Sequence, residues 1–133
     1  MSKISDFIKE AKVFFLATAD GQQPKVRPLG FCTEVDGRTL FAVGSQKHVY
    51  QQLQKNPLCE IVAVSKDFRW LRYTGKAVFE TDPKFGELVF EAFPHLRNIY
   101  AAANAKPAVF HLEDAKAEIR NLMGEVQESI EGL

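Results

Sequence analysis

Two cysteines in 133 residues, Cys32 and Cys59, are too few and too isolated for a disulfide framework or a thiolate metal site. Each lies inside an apolar, strand-like stretch, where a buried thiol acting as a small hydrophobe is the expected role. The three histidines, His48, His95 and His111, are far apart and share no ligand spacing, which argues against zinc. Charge of one sign is also lacking, since seventeen basic and seventeen acidic side chains cancel. With no global field, nothing points to nucleic acid or a membrane surface, and any anion must be caught by a local cluster. No apolar run approaches the length of a membrane span, and the longest, such as Val13 to Ala19, suit a strand. The first ten residues lack the apolar core and small-residue cleavage site of a signal peptide, so the expectation is a cytoplasmic protein. Gly-x-Ser-x-Gly elbows, P-loop glycine spacing, repeats and low-complexity segments are all absent.

What is present is ordinary globular material, 46% hydrophobic and 26% charged, enough for one core and one domain over residues 1–133. Ile4 to Lys12 reads as a short amphipathic helix, with Ser2 or Ser5 as its cap. Val13 to Ala19, Lys25 to Val35 and Thr39 to Val43 read as three strands joined at Asp20-Gly21 and Asp36-Gly37, an antiparallel meander. A helix is expected from His48 to Lys55, stopped by Asn56-Pro57. Leu58 to Val64 and Arg69 to Glu80 follow as strands, and Asp82-Pro83 opens a helix running to about Ala92. A helical turn at His95 to Tyr100 precedes a final hairpin, Pro107 to Leu112 with Lys116 to Leu122. Residues 124–133 read as a polar helix or a frayed tail. Helices inserted among antiparallel strands make this an α+β pattern, and the hairpins suggest a small barrel, which removes exposed edges.

Three stretches could carry chemistry. Gly44-Ser45-Gln46-Lys47-His48 sits where a strand hands over to a helix, whose uncapped N–H groups and dipole favour anions such as phosphate. Two readings stand for it. Ser45 and Lys47 either serve the anion or are a helix cap and a solvated lysine. In Val26-Arg27-Pro28-Leu29, a mid-strand proline removes a ladder donor and Arg27 stands ready as an anion fork, or the segment is a plain edge strand. Trp70 and Arg72 share one face of a strand, a platform for a flat charged ligand and equally a normal interface pair. Phe85, Leu88, Val89 and Phe93 are spaced as a helix core stripe.

In this order and spacing the segments resemble the pyridoxamine 5′-phosphate oxidase-like family of FMN-binding split β-barrels, especially its short bacterial members. The pieces are Ala17-Thr-Ala-Asp-Gly21, Val26 to Leu29, Leu40-Phe-Ala-Val-Gly-Ser45, Lys47, Asn56-Pro57 and Trp70 to Ala77. The resemblance covers roughly Ile4 to Gly124. It implies an antiparallel split barrel with flanking helices, acting as a homodimer with FMN at the subunit interface. By position, Val26, Arg27, Pro28 and Leu29 would line the flavin ring. Gly44, Ser45, Lys47 and His48 would hold the ribityl phosphate, with Arg27 in reach. Trp70 and Arg72 would sit beside the flavin or at the dimer contact. The implied activity is FMN-dependent oxidation or reduction of a small organic molecule. A non-catalytic flavin-binding or stress-response module, or a relative preferring haem or a deazaflavin, are the other readings. True pyridoxamine phosphate oxidases carry a basic, histidine-containing C-terminal segment where Asn121 to Leu133 is acidic. Nitroimidazole-reducing relatives tend to have a histidine where Gly44 stands.

Overall fold

A computed structural model describes residues 2–130. Eight antiparallel strands form one sheet: β1 (Phe14–Asp20), β2 (Gln23–Leu29), β3 (Cys32–Val35), β4 (Arg38–Gly44), β5 (Leu58–Val64), β6 (Trp70–Phe79), β7 (Pro107–Arg120) and β8 (Val126–Ile130). Among the described residues four helices interrupt them: α1 (Lys3–Ala11), α2 (His48–Lys55), α3 (Lys84–Ala92) and α4 (Leu96–Ala102). The strand order is β2-β1-β5-β6-β7-β4-β3, with β8 on β7. β2 and β3 lie at opposite ends of that order yet are separated in sequence only by Gly30 and Phe31. The sheet therefore curls until its two ends approach, which makes it a split barrel with flanking helices. No described helix is long and apolar enough to cross a membrane.

The barrel interior follows strict alternation. Phe14 and Leu16 of β1, Ile61 of β5, Leu71 of β6, Phe41 of β4 and Phe110 of β7 are all fully buried. Rings of Phe14, Phe41 and Phe110 stand 5.6 Å apart in tilted pairs. Each such side chain contributes about 1.5–3 kcal/mol on burial. Ile8 of α1 and Leu53 of α2 complete this core. Leu40 and Val109 face the other way and meet Phe85 and Val89 of α3 in a second, smaller core. The stripe along α3 is thus core, as its spacing indicates.

Three expectations need correction. The segment Lys25 to Val35 is not one strand of a meander: β2 pairs only with β1, and β3 with β4. Pro28 cannot donate to a further ladder, and the chain leaves the sheet at Gly30 to reach the opposite edge. Nor is there a hairpin at Glu113-Asp114, because β7 runs unbroken for 14 residues along β6. The polar pair is instead a bulge opposite Gly75, with Asp114 at φ +50°. A Cβ on Gly75 would lie 2.9 Å from Ala115 Cβ, so the bulge needs glycine there. Finally, residues 126–130 of the expected tail form β8 on β7. The turn at Asp36-Gly37 has both φ angles positive, +52° and +79°, as a tight two-residue hairpin between Val35 and Arg38 requires.

Candidate functional site

A cavity of about 290 Å³ opens where β2, the start of α2, α3 and α4 converge. Its sheet side carries Arg27, Pro28, Leu29, Gly44 and Lys47. Five residues singled out from the sequence thus meet in one place, although four strands lie between β2 and β4 in the sheet order. The curl of the sheet brings them together.

Arg27 faces inward, opposite Leu16 in the ladder. Its guanidinium donates to Leu16 O at 3.1 Å, to Thr18 Oγ1 at 2.8 Å and to Gln52 Oε1 at 3.0 Å. Thr18 and Gln52 are both buried and joined at 2.7 Å, so the fork is held rigidly by β1 and α2. Burial lowers the Arg27 pKa from its ordinary value. Among the described residues no carboxylate pairs with it. Lys47 occupies the N-cap position of α2, which has no side-chain cap, and its backbone N–H donates to Gly44 O at 3.0 Å. The helix therefore begins beside the cavity with a cation and a positive dipole end. Among the described residues no Asp or Glu lines the cavity.

The remaining candidates lie elsewhere. Ser45 is not the helix cap. Its N–H donates to Lys106 O and its Oγ accepts from Lys106 N, both at 2.9 Å, tying the end of β4 to the start of β7. It borders a separate cavity of about 390 Å³ with Tyr50, Phe79 and Asp82. His48 is exposed, and Val26 projects from the outer face of β2, 67% exposed. Trp70 and Arg72 share the outer face of β6, with the guanidinium carbon 4.9 Å from the indole centroid. Arg72 Nε lies 3.4 Å from Glu60 Oε2 and is buried, with no hydrogen-bond partner among the described residues.

Two features had no signal in the sequence. Val89, Phe93, Leu96 and Tyr100 close the far side of the first cavity, some sixty to seventy residues along the chain from Arg27. His111 is buried with Nδ1 2.7 Å from Glu80 Oε1 and Nε2 2.7 Å from Glu113 Oε2, while Arg38 Nη1 reaches the same Glu80 oxygen at 2.9 Å. Both ring nitrogens are engaged, so His111 offers no free ligand atom to a metal. Among the described residues no group of histidine, cysteine and carboxylate side chains is placed to hold a metal ion.

Fold and cavity together define a split-barrel protein with a cationic recess at a helix start. Residues 1–122 match the family described as pyridoxamine 5′-phosphate oxidase, and the chain belongs to that family. A NimC/NimA family protein from Clostridium acetobutylicum is 32% identical, with 96% of this chain and 89% of that one covered and a TM-score of 0.83. From the same organism, a protein related to general stress protein 26 is 12% identical over 98% and 92% of the two chains, at a TM-score of 0.73. A heme-binding protein from Mycobacterium smegmatis is 13% identical at a TM-score of 0.72, over 96% of this chain and 56% of that one. No curated protein matches.

Proposed function

We propose that the protein binds FMN and is an FMN-dependent oxidoreductase acting on a small organic molecule, working as a homodimer. One observation carries this reading: Arg27 and Lys47 converge on a cavity that no carboxylate lines among the described residues. An uncapped helix start and two cations form a receptor for a phosphate, and Lys47 has no ion-pair partner among the described residues. Pro28, Leu29 and Val43 offer an apolar wall beside it for a planar ring. The donor set fits FMN. When bound, FMN supplies hydride transfer, leaving the chain to bind, orient and shield. Arg27, fixed by Thr18 and Gln52, holds the anionic end of the cofactor at a set depth. Lys47 acts as a mobile point charge at the rim.

The haem reading finds less support here. His111 is fully engaged, and neither His48 nor His95 lines the recess.

The dimer reading rests on the outer face of β1, β5 and β6. Phe15, Leu58 and Val64 are 41%, 57% and 49% exposed there, and the indole of Trp70 joins them. An apolar patch of this kind on a small protein is characteristic of an interface.

The test is FMN affinity by fluorescence quenching. Lys47→Ala should weaken binding about 10- to 100-fold, as expected for loss of a charge-assisted contact, while Lys25→Ala on exposed β2 leaves it unchanged. Equal affinity in both variants would place the phosphate elsewhere.

A further inference from the structure

The far wall of the recess differs in kind from the sheet side. Val89 and Phe93 of the α3 segment and Leu96 of α4 are apolar, and Tyr100 is the one lining residue on this side that carries a polar side-chain group. Among the described residues that hydroxyl makes no hydrogen bond. Its ring is not free to wander. Tyr100 packs edge-on against Phe90 with centroids 5.9 Å apart, and Arg97 lies over the opposite partner, 4.7 Å from the Phe90 centroid. Arg97 is in turn held by both carboxylate oxygens of Glu87, at 2.9 and 3.3 Å. Two helices thus hold a half-buried phenol, with no protein hydrogen-bond partner among the described residues, at the edge of a cavity whose cations lie on the other side. Partial burial raises the Tyr100 pKa, so the phenol stays neutral and donates at physiological pH.

We propose that α4 is the substrate-facing wall of the recess and that Tyr100 is a specificity-determining residue. It donates a hydrogen bond to an acceptor atom on a flat, largely apolar ring seated against Phe93 and Leu96. This rests on the FMN reading above, because the cations are assigned to the cofactor and only the α3–α4 side is left for a second molecule. The substrate class is a neutral planar ring compound bearing a carbonyl-type or similar acceptor. Charged substrates find no counter-charge on this wall. An apolar pocket alone discriminates weakly between ring compounds, whereas a built-in donor rejects an analogue that lacks the acceptor.

The experiment compares 1-indanone with indane, a bicyclic pair differing by one carbonyl acceptor. Each is titrated calorimetrically into the FMN-reconstituted protein and into its Tyr100→Phe and Lys47→Ala variants. The native protein should bind indanone more tightly than indane. Tyr100→Phe should weaken indanone about three- to tenfold, the span of a neutral hydrogen bond, with indane and FMN affinities unchanged. An indanone-to-indane ratio that Tyr100→Phe does not alter overturns the proposal. So does a Tyr100→Phe variant that loses FMN affinity as well, because the phenol would then serve the cofactor. Failure of the FMN reading has a separate signature: no FMN uptake by the native protein, or no effect of Lys47→Ala on it. The indanone contrast is readable by calorimetry with or without flavin.

Discussion

Cys32 and Cys59 face the apolar interior of the sheet, and burial pushes both thiols from an ordinary 9 up to about 12. Tyr73 beside them is raised from 10 to about 12 for the same reason. A group whose folded pKa lies above its unfolded value binds its proton more tightly when folded. Its contribution is complete below pH 9 and is lost as pH rises towards 12, where the unfolded chain ionises first. The urea midpoint should therefore fall above pH 9, and fall less steeply in Cys59→Ala. At pH 8 iodoacetamide should label the native thiols far more slowly than those of the urea-unfolded chain, because the thiolate is the reactive form. Gly75 carries a second residue-scale prediction. Its neighbours across the bulge, Ala115 Cβ at 2.9 Å and the Glu113 carbonyl at 3.0 Å, leave no room for a methyl group. Gly75→Ala should cost about 1–3 kcal/mol through overpacking, seen as a lower Tm.

Among the helices, α1 is held by polar contacts as much as by its apolar face. Ser2 caps it by accepting from Ser5 N at 3.2 Å, so of the two serines foreseen as caps it is the first that serves. Ser5, fully buried, donates to Glu34 Oε1 at 3.0 Å and meets Thr39 Oγ1 at 2.8 Å, joining the helix to β3 and β4. Ser5→Ala leaves the buried Thr39 hydroxyl without its partner. A loss of about 1–3 kcal/mol follows from denaturant titration, and amide exchange should quicken first in α1. A variant as stable as the native protein would mean that water replaces the hydroxyl. α4 stands at the other extreme, since it buries no residue fully. Its place depends on Arg97, Glu87 and Phe90, which suits a wall that admits a ligand.

For the whole molecule, the decisive question is whether the exposed face of β1, β5 and β6 is covered. Under the dimer reading, light scattering should give twice the chain mass of 15.0 kDa. Val64→Asp, at an outward position, should return one chain mass without unfolding the barrel, and should weaken FMN if the partner completes the site. A native protein that stays at 15.0 kDa at micromolar concentration would sink the interface.

Periodicity and turn chemistry settle much of this protein locally. Asp36-Gly37, Asn56-Pro57 and Asp82-Pro83 mark real boundaries because each residue restricts its own backbone wherever it stands. α2 occupies the span that its sequence delimits, His48–Lys55. The order of motifs was sufficient for the family. Pairing was another matter. Whether Lys25 to Val35 continued or crossed to the far edge, and whether Glu113-Asp114 turned or bulged, depended on the pairings of β1 with β5, β4 with β7 and β6 with β7, between residues roughly 30 to 70 apart. Arg27 and Lys47 could be suspected separately from residue type and local context. That they share a recess with Tyr100, while Ser45 and the Trp70–Arg72 pair lie outside it, was decided by the curl of the sheet. Local sequence sets backbone preference, whereas a cavity belongs to surfaces that meet only after long-range pairing has closed the barrel.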